Sequence, residues 1–164
     1  MTVRAWLARP QEFDIAALQR TLGQAEKTKA DRFRFAADRN AFVLSHALQR
    51  AQLSQTLNTP PYELQFGRTA KGRPMLTHPK ADNLAFSASR RREVVVYAQA
   101  TISQLGIDVE KIVAIDNPEA LLAKFLDSTN IALLSGSGKH RTFTRLWTIT
   151  EACAKARGTG LATF

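Results

Sequence analysis

The residues best able to do chemistry in this chain sit in one run, Gly106-Ile107-Asp108-Val109-Glu110. Ile107 and Val109 favour strand, and the run follows the apolar, β-rich stretch Val94-Val95-Val96-Tyr97. Along a strand the side chains alternate, so Asp108 and Glu110 point one way while Ile107 and Val109 point the other. Two carboxylates a pleat repeat apart, roughly 7 Å, repel each other unless something positive lies between them. A hard divalent cation such as Mg²⁺ accepts oxygen ligands of this kind, completed by waters and substrate phosphates. A solvated strand face would carry the same pair with no ion at all, and the pair by itself does not separate the two.

A second group lies some forty residues further on. Trp147, Glu151 and Lys155 are spaced i, i+4, i+8 and share one broad face of a helix expected from about Arg141 to Ala156, which Gly158 is placed to end. An ordinary Glu–Lys helix pair, worth a few tenths of a kcal/mol, gives the same spacing. Phe143, Leu146 and Ala154 read as core positions, and Cys153, on a different side from Glu151, as a buried inert thiol. His46, His78 and His140 show no ligand spacing with one another or with Cys153, which argues against zinc. The chain contains neither a nucleophile elbow nor a phosphate-binding loop signature.

The elements that must position these residues can be read in order. Val3 to Leu7 is an edge strand. Phe13 to Leu22 is a short helix capped by Asp14, and a basic helix carrying Lys27, Lys29, Arg32 and Arg34 begins at Gln24. A longer amphipathic helix spans Asp38 to Leu57, with Phe42, Leu44, Leu48, Ala51 and Leu57 inward and Arg39 and Arg50 outside the core stripe. Asn58-Thr59-Pro60-Pro61 stops it. Strands are expected at Tyr62 to Phe66, Met75-Leu76, Leu84 to Ser87 and Glu93 to Ala100. Lys71-Gly72-Arg73-Pro74 and Arg90-Arg91-Arg92 form the turns. A helix from Pro118 to Leu126, capped by Asn117, and a flexible link at Ser135-Gly136-Ser137-Gly138 lead to the last helix.

The 164 residues are enough for one domain or two small subdomains, and 45% hydrophobic with 23% charged residues is globular composition. No apolar run suggests a membrane span and no export signal is evident, so a cytoplasmic protein is expected. The single cysteine excludes an internal disulfide framework. A net charge of +9 favours anionic partners: phosphorylated small molecules, an acidic protein or nucleic acid. The last is disfavoured, because no aromatic side chains interleave with the basic ones and no nucleic-acid-binding signature occurs.

Taken together, these residues resemble the 4′-phosphopantetheinyl transferases, in particular the larger surfactin-synthetase-activator type. Gly106 to Glu110 is similar to the family's G-[IV]-D-[IV]-E strand, and Trp147 to Leu161 to its W-[ST]-x-K-E-[AS]-x-x-K-x-x-G-x-G-L helix. Gly72-Arg73-Pro74 resembles a G-K-P turn, Phe86 to Arg90 an F-N-x-S-H segment, and Arg32-Phe33 through Arg39 to Arg50 the basic N-terminal helices. Departures occur at Arg90, where histidine is usual, at Ser87 for asparagine, at Thr150 for lysine, and at Asn130, in a region where glutamate is common.

The resemblance implies an α+β fold with helices packed on antiparallel sheets, in two pseudo-symmetric subdomains, residues 1–104 and 105–164. The second is expected to be incomplete, since larger members continue for some tens of residues. It implies transfer of phosphopantetheine from coenzyme A to a serine of an acidic acyl- or peptidyl-carrier protein, with Mg²⁺ held by Asp108, Glu110 and Glu151. Glu151 and Lys155 become the implied catalytic pair, Glu151 as base and Lys155 as pyrophosphate contact. Asp108, Arg73, Ser89 and Arg90 would meet the coenzyme, with Lys29 and Arg39 nearer its 3′-phosphate. A relative that only binds coenzyme A or a carrier protein is the alternative.

Overall fold

Strand β5 (Val94–Thr101) is buried at every position from Val95 to Ala100, because it is covered on both faces. The computed structural model describes residues 2–161. β5 lies at the centre of a three-stranded antiparallel sheet between β1 (Val3–Ala8) and β4 (Leu84–Arg91). β1 is thus the edge strand expected of it. Helices α1 (Ile15–Arg20) and α2 (Gln24–Ala30) lead into the long α3 (Ala36–Leu57). α3 packs on one face of the sheet through Ala41, Leu44, Leu53, Val95 and Tyr97. The strands β2 (Gln65–Arg68) and β3 (Pro74–His78) form a separate hairpin. After β5 come α4 (Pro118–Leu122), α5 (Ser128–Ile131) and α6 (Lys139–Arg157). These gather a second apolar cluster around Leu122, Leu134 and Phe143, with Trp147 against Phe143 and Phe125. The architecture is α+β, helices on antiparallel sheet, as the sequence implied.

Several local expectations are corrected. Arg90 and Arg91 extend β4 instead of turning, and the turn falls at Arg92-Glu93, where Arg92 forms a two-bond pair with Asp38 of α3. Arg32 and Arg34 lie past the end of α2. Tyr62 is exposed ahead of β2, because a turn from Pro60 to Glu63 precedes the strand. The helix expected to run to Leu126 stops at Leu122, and Asp127 caps a separate α5 by accepting the Asn130 N–H. Cys153 is exposed, since the buried face of α6 is Phe143, Thr144, Thr150 and Ala154. Gly106 to Glu110 is no ladder strand: it is joined to its neighbours by side chains.

Arg50 is the most consequential correction. Its side chain is only 5% exposed. Nε donates to Glu26 Oε2 at 2.8 Å, and Nη1 donates to the carbonyls of Pro61 and Leu64. One guanidinium thus joins α2, α3 and the approach to β2. Burial works against the charge of Glu26, but His46, Arg50 and the Gly23 N–H together hold its carboxyl below the ordinary value of 4.5. The folded protein therefore binds fewer protons here than the unfolded chain. The stability gained is complete above that ordinary value and is lost as pH falls through the lower folded one. Arg50→Ala, which leaves Glu26 without its buried partner, should cost about 3 kcal/mol in urea denaturation at neutral pH. Glu26→Gln should flatten the loss of stability on acidification.

Candidate functional site

The alternation of β4 assembles the site. Cross-strand partners share a face, and Phe86, Ala88 and Arg90 lie opposite Gln99, Tyr97 and Val95, toward α3. The intervening Ser87, Ser89 and Arg91 lie opposite Ala98, Val96 and Val94, and each reaches the segment after β5. Ser87 Oγ accepts the Ile107 N–H at 3.2 Å. Ser89 Oγ donates to Asp108 Oδ1 at 2.7 Å. Arg91 donates through Nε to Glu110 Oε2 at 2.8 Å and through Nη2 to Oε1. Three consecutive same-face side chains thus hold three of the four residues from Ile107 to Glu110.

Helix α6 closes the other side. A Cβ on Gly106 would lie 1.9 Å from the Ala152 carbonyl oxygen and 2.7 Å from the Ala156 nitrogen, both backbone atoms that cannot move aside. The contact lets Lys155 Nζ reach Asp108 Oδ1 at 2.6 Å, with the Asp108 side chain 4% exposed. Its other oxygen, Oδ2, is buried without a hydrogen-bond partner. Glu151, one turn before Lys155, has its carboxyl raised by burial and then by the charge of Asp108, with a smaller contribution from Glu110. Lys155 and Arg91 oppose that rise.

Lys155 also lines a cavity of about 600 Å³ that opens between α2, α3, β4 and the β2–β3 hairpin. Phe42, Phe66 and Phe86 supply its apolar wall, and Lys29, Arg68, Lys71, Arg73, Arg90 and Lys155 its charge, against the single acid Glu26. Arg73 ties the hairpin to the end of α6 by donating from Nη1 to the Ala156 carbonyl at 3.1 Å. Burial depresses the Arg90 guanidinium, and a more distant Asp38 partly offsets this. Such a wall suits a polyanion with an apolar or flat portion.

Two sequence profiles match the chain almost end to end. One, described as 4′-phosphopantetheinyl transferase, N-terminal, covers residues 4–102, and the other, the 4′-phosphopantetheinyl transferase superfamily, covers residues 104–164. The chain belongs to the 4′-phosphopantetheinyl transferase superfamily. It is similar to the 4′-phosphopantetheinyl transferase HetI of Nostoc sp., 30% identical over 92% of this chain and 65% of the relative. A phosphopantetheinyl transferase of Thraustochytrium sp. is 26% identical over 97% of this chain and 62% of its own length. The human L-aminoadipate-semialdehyde dehydrogenase-phosphopantetheinyl transferase is 30% identical over 65% of this chain and 35% of its own. The chain therefore spans less than two thirds of the length of these relatives.

The transferase motifs fall into two places. Asp108, Glu110, Glu151, Lys155 and Ser89 belong to the carboxylate cluster, and Lys29, Arg73, Arg90 and Lys155 to the cavity. Arg39 lies outside the cavity wall, with its Nε buried and unpartnered. Ser87, Arg91, Lys71 and the Glu26–His46 pair escaped the sequence reading. The period of two on either side of Ser89 could have found Ser87 and Arg91. Thr150, before Glu151, is buried and donates to the Leu146 carbonyl at 2.9 Å, so this position carries no cation into the site.

Among the described residues, no three His, Cys, Asp or Glu side chains converge as a ready-made ion cage. The donor set nonetheless suits a hard cation: an orphaned, buried Asp108 oxygen lies near two further carboxylates that feel its charge. Arg91 and Lys155 supply the positive charge of the cluster instead. Since nothing but backbone lies beyond Gly106, Gly106→Ala should destabilise the fold by about 3 kcal/mol in chemical denaturation. It should also break the Lys155–Asp108 contact. Ala88→Gly, on the opposite face of β4, should leave that contact intact.

Proposed function

We propose that this chain carries out phosphopantetheinyl transfer from coenzyme A to a serine of an acidic acyl- or peptidyl-carrier protein, in the cytoplasm. Lys155 is the observation that carries the reading, because it lines the cation-walled cavity and also bonds Asp108. Family membership supplies the reaction class. Residues 1–104 would form the coenzyme-binding unit, and 105–164 the unit that brings the carboxylates.

In this reading coenzyme A lies in the cavity with its 3′-phosphate toward Lys29, its pyrophosphate toward Arg73, Arg90 and Lys155, and its pantetheine arm leading outward. Arg39 would act from outside the wall, on approaching phosphate. Mg²⁺ would be held by Asp108 Oδ2 with Glu110 and Glu151, and when bound it would neutralise pyrophosphate charge and favour in-line displacement. Glu110 would have to leave Arg91, whose exposed side chain makes that exchange inexpensive. The carrier serine oxygen forms a bond to the phosphorus bearing the pantetheine arm, and the pyrophosphate P–O bond breaks. 3′,5′-ADP departs with the bond electrons, and the serine proton passes to Glu151. The elevated carboxyl of Glu151 is a stronger base than an ordinary carboxylate. Ser89 orients Asp108, and Lys155 steadies the phosphate oxygens.

The alternative, a relative that binds coenzyme A without transferring the arm, is favoured by one observation. Arg91 and Lys155 already neutralise Glu110 and Asp108. Mass spectrometry of an apo carrier protein incubated with this chain, coenzyme A and Mg²⁺ separates the two. Transfer predicts a gain of one phosphopantetheine arm, abolished by chelation and reduced at least about a hundredfold in Asp108→Ala and Glu151→Gln, both still folded. Activity should rise with pH through the elevated Glu151 carboxyl, as the base loses its proton. Retained transfer in both variants would sink the assignment, and coenzyme A binding with no mass gain on any carrier would leave the binding-only reading.

A further inference from the structure

Three basic side chains surround one aromatic ring at the inner end of the cavity. Phe42 has Lys29 Nζ 5.6 Å and Arg90 Cζ 5.1 Å from its ring centre, and the His46 imidazole packs on it at 4.2 Å between centroids. All four residues line the cavity. His46 Nδ1 lies 2.9 Å from Glu26 Oε1. An ionised carboxylate only accepts, so Nδ1–H donates and Nε2 is the ring nitrogen left uncommitted. Glu26 is also bonded by Arg50 Nε at 2.8 Å and by the Gly23 N–H at 2.7 Å.

This arrangement decides the electrostatics of His46. The charge of Glu26 is already matched by buried Arg50, so none is left over to balance a protonated imidazole. The other groups facing it are cationic: Lys29 from α2, Arg90 from β4, and Arg68, Lys71 and Arg73 across the cavity from the hairpin. Without a ligand, a charge on His46 adds to that repulsion, whereas an anion between Lys29 and Arg90 reverses it.

We propose that His46 is a phosphate ligand that takes up a proton as the phosphate binds. Nε2 acquires the proton from solvent and donates it in a hydrogen bond to a phosphomonoester dianion held by Lys29 and Arg90. A monoester carries the second negative charge that a pyrophosphate diester oxygen lacks, so the site selects coenzyme A over its 3′-dephospho form. The inference rests on the coenzyme A reading above and adds both the selecting residue and the proton.

Calorimetry of the full chain at about pH 7.5, in two buffers of different ionisation enthalpy and without added metal, tests it; there the phosphomonoester is already a dianion. Coenzyme A should bind with net proton uptake, and 3′-dephospho-coenzyme A with none. Affinity for coenzyme A should fall by up to about tenfold per pH unit as pH rises through the imidazole range. His46→Gln, which keeps a donor for Glu26, should bind more weakly at neutral pH, with affinity independent of pH. Binding without proton uptake, equal uptake with the dephospho form, or uptake surviving in His46→Gln would overturn the inference and leave the coenzyme A reading standing. No binding of coenzyme A by the wild-type chain would overturn both. The wild-type buffer comparison decides even if the variant does not fold.

Discussion

The contact on which the site depends is backbone against backbone. Gly106 lies so close to α6 that the helix and the carboxylate-bearing segment meet with no side chain between them. Every distance at the site follows from that approach. The 2.6 Å contact from Lys155 to Asp108 requires both residues to project from elements in touch. The electrostatic coupling of Glu151 to Asp108 and Glu110 requires the same. Small residues on the facing side of the sheet, Ser87 and Ala98, complete the arrangement by letting the segment lie flat against β4 and β5.

The sheet divides the labour by face. Odd and even positions of one strand, β4, serve two tasks that a sequence motif runs together. Phe86, Ala88 and Arg90 form a wall toward α3, while Ser87, Ser89 and Arg91 hold the segment bearing the carboxylates. Period-two geometry makes the division automatic, because no turn or insertion is needed to separate binding from chemistry. Lys155 alone reaches both, from a different element.

What could be read in the sequence was what depends on local pattern. The Asp14 cap, the amphipathic α3, the Gly72 turn and the Gly158 helix end are each fixed by residues within a few positions. Partners distant in sequence were not legible. Arg50 looked like a surface arginine because the carboxylate that takes it is on α2 and its carbonyl acceptors follow Pro60. Arg90 and Arg91 looked like a turn because three adjacent arginines suggest solvent. Instead Arg91 finds Glu110 and Arg90 rests on Phe42. Asp108 and Glu110 were identified from their spacing, but their actual partners, Ser89, Lys155 and Arg91, belong to tertiary packing.

The β2–β3 hairpin is a two-stranded ribbon, a kind of structure that is marginal alone in water. It owes its position to Phe66 against Phe86, the Arg50 guanidinium over Phe66, and the Arg73 bond to Ala156. Yet it provides the basic side of the cavity opposite α3. The cavity is therefore bounded on one side by a deeply packed helix and on the other by the piece of the fold least able to hold itself. Local opening of a piece like this costs far less than unfolding the whole. Passage of a large polyanion in and out is thereby set by the breathing of a short ribbon, and the three-stranded sheet need not move for it.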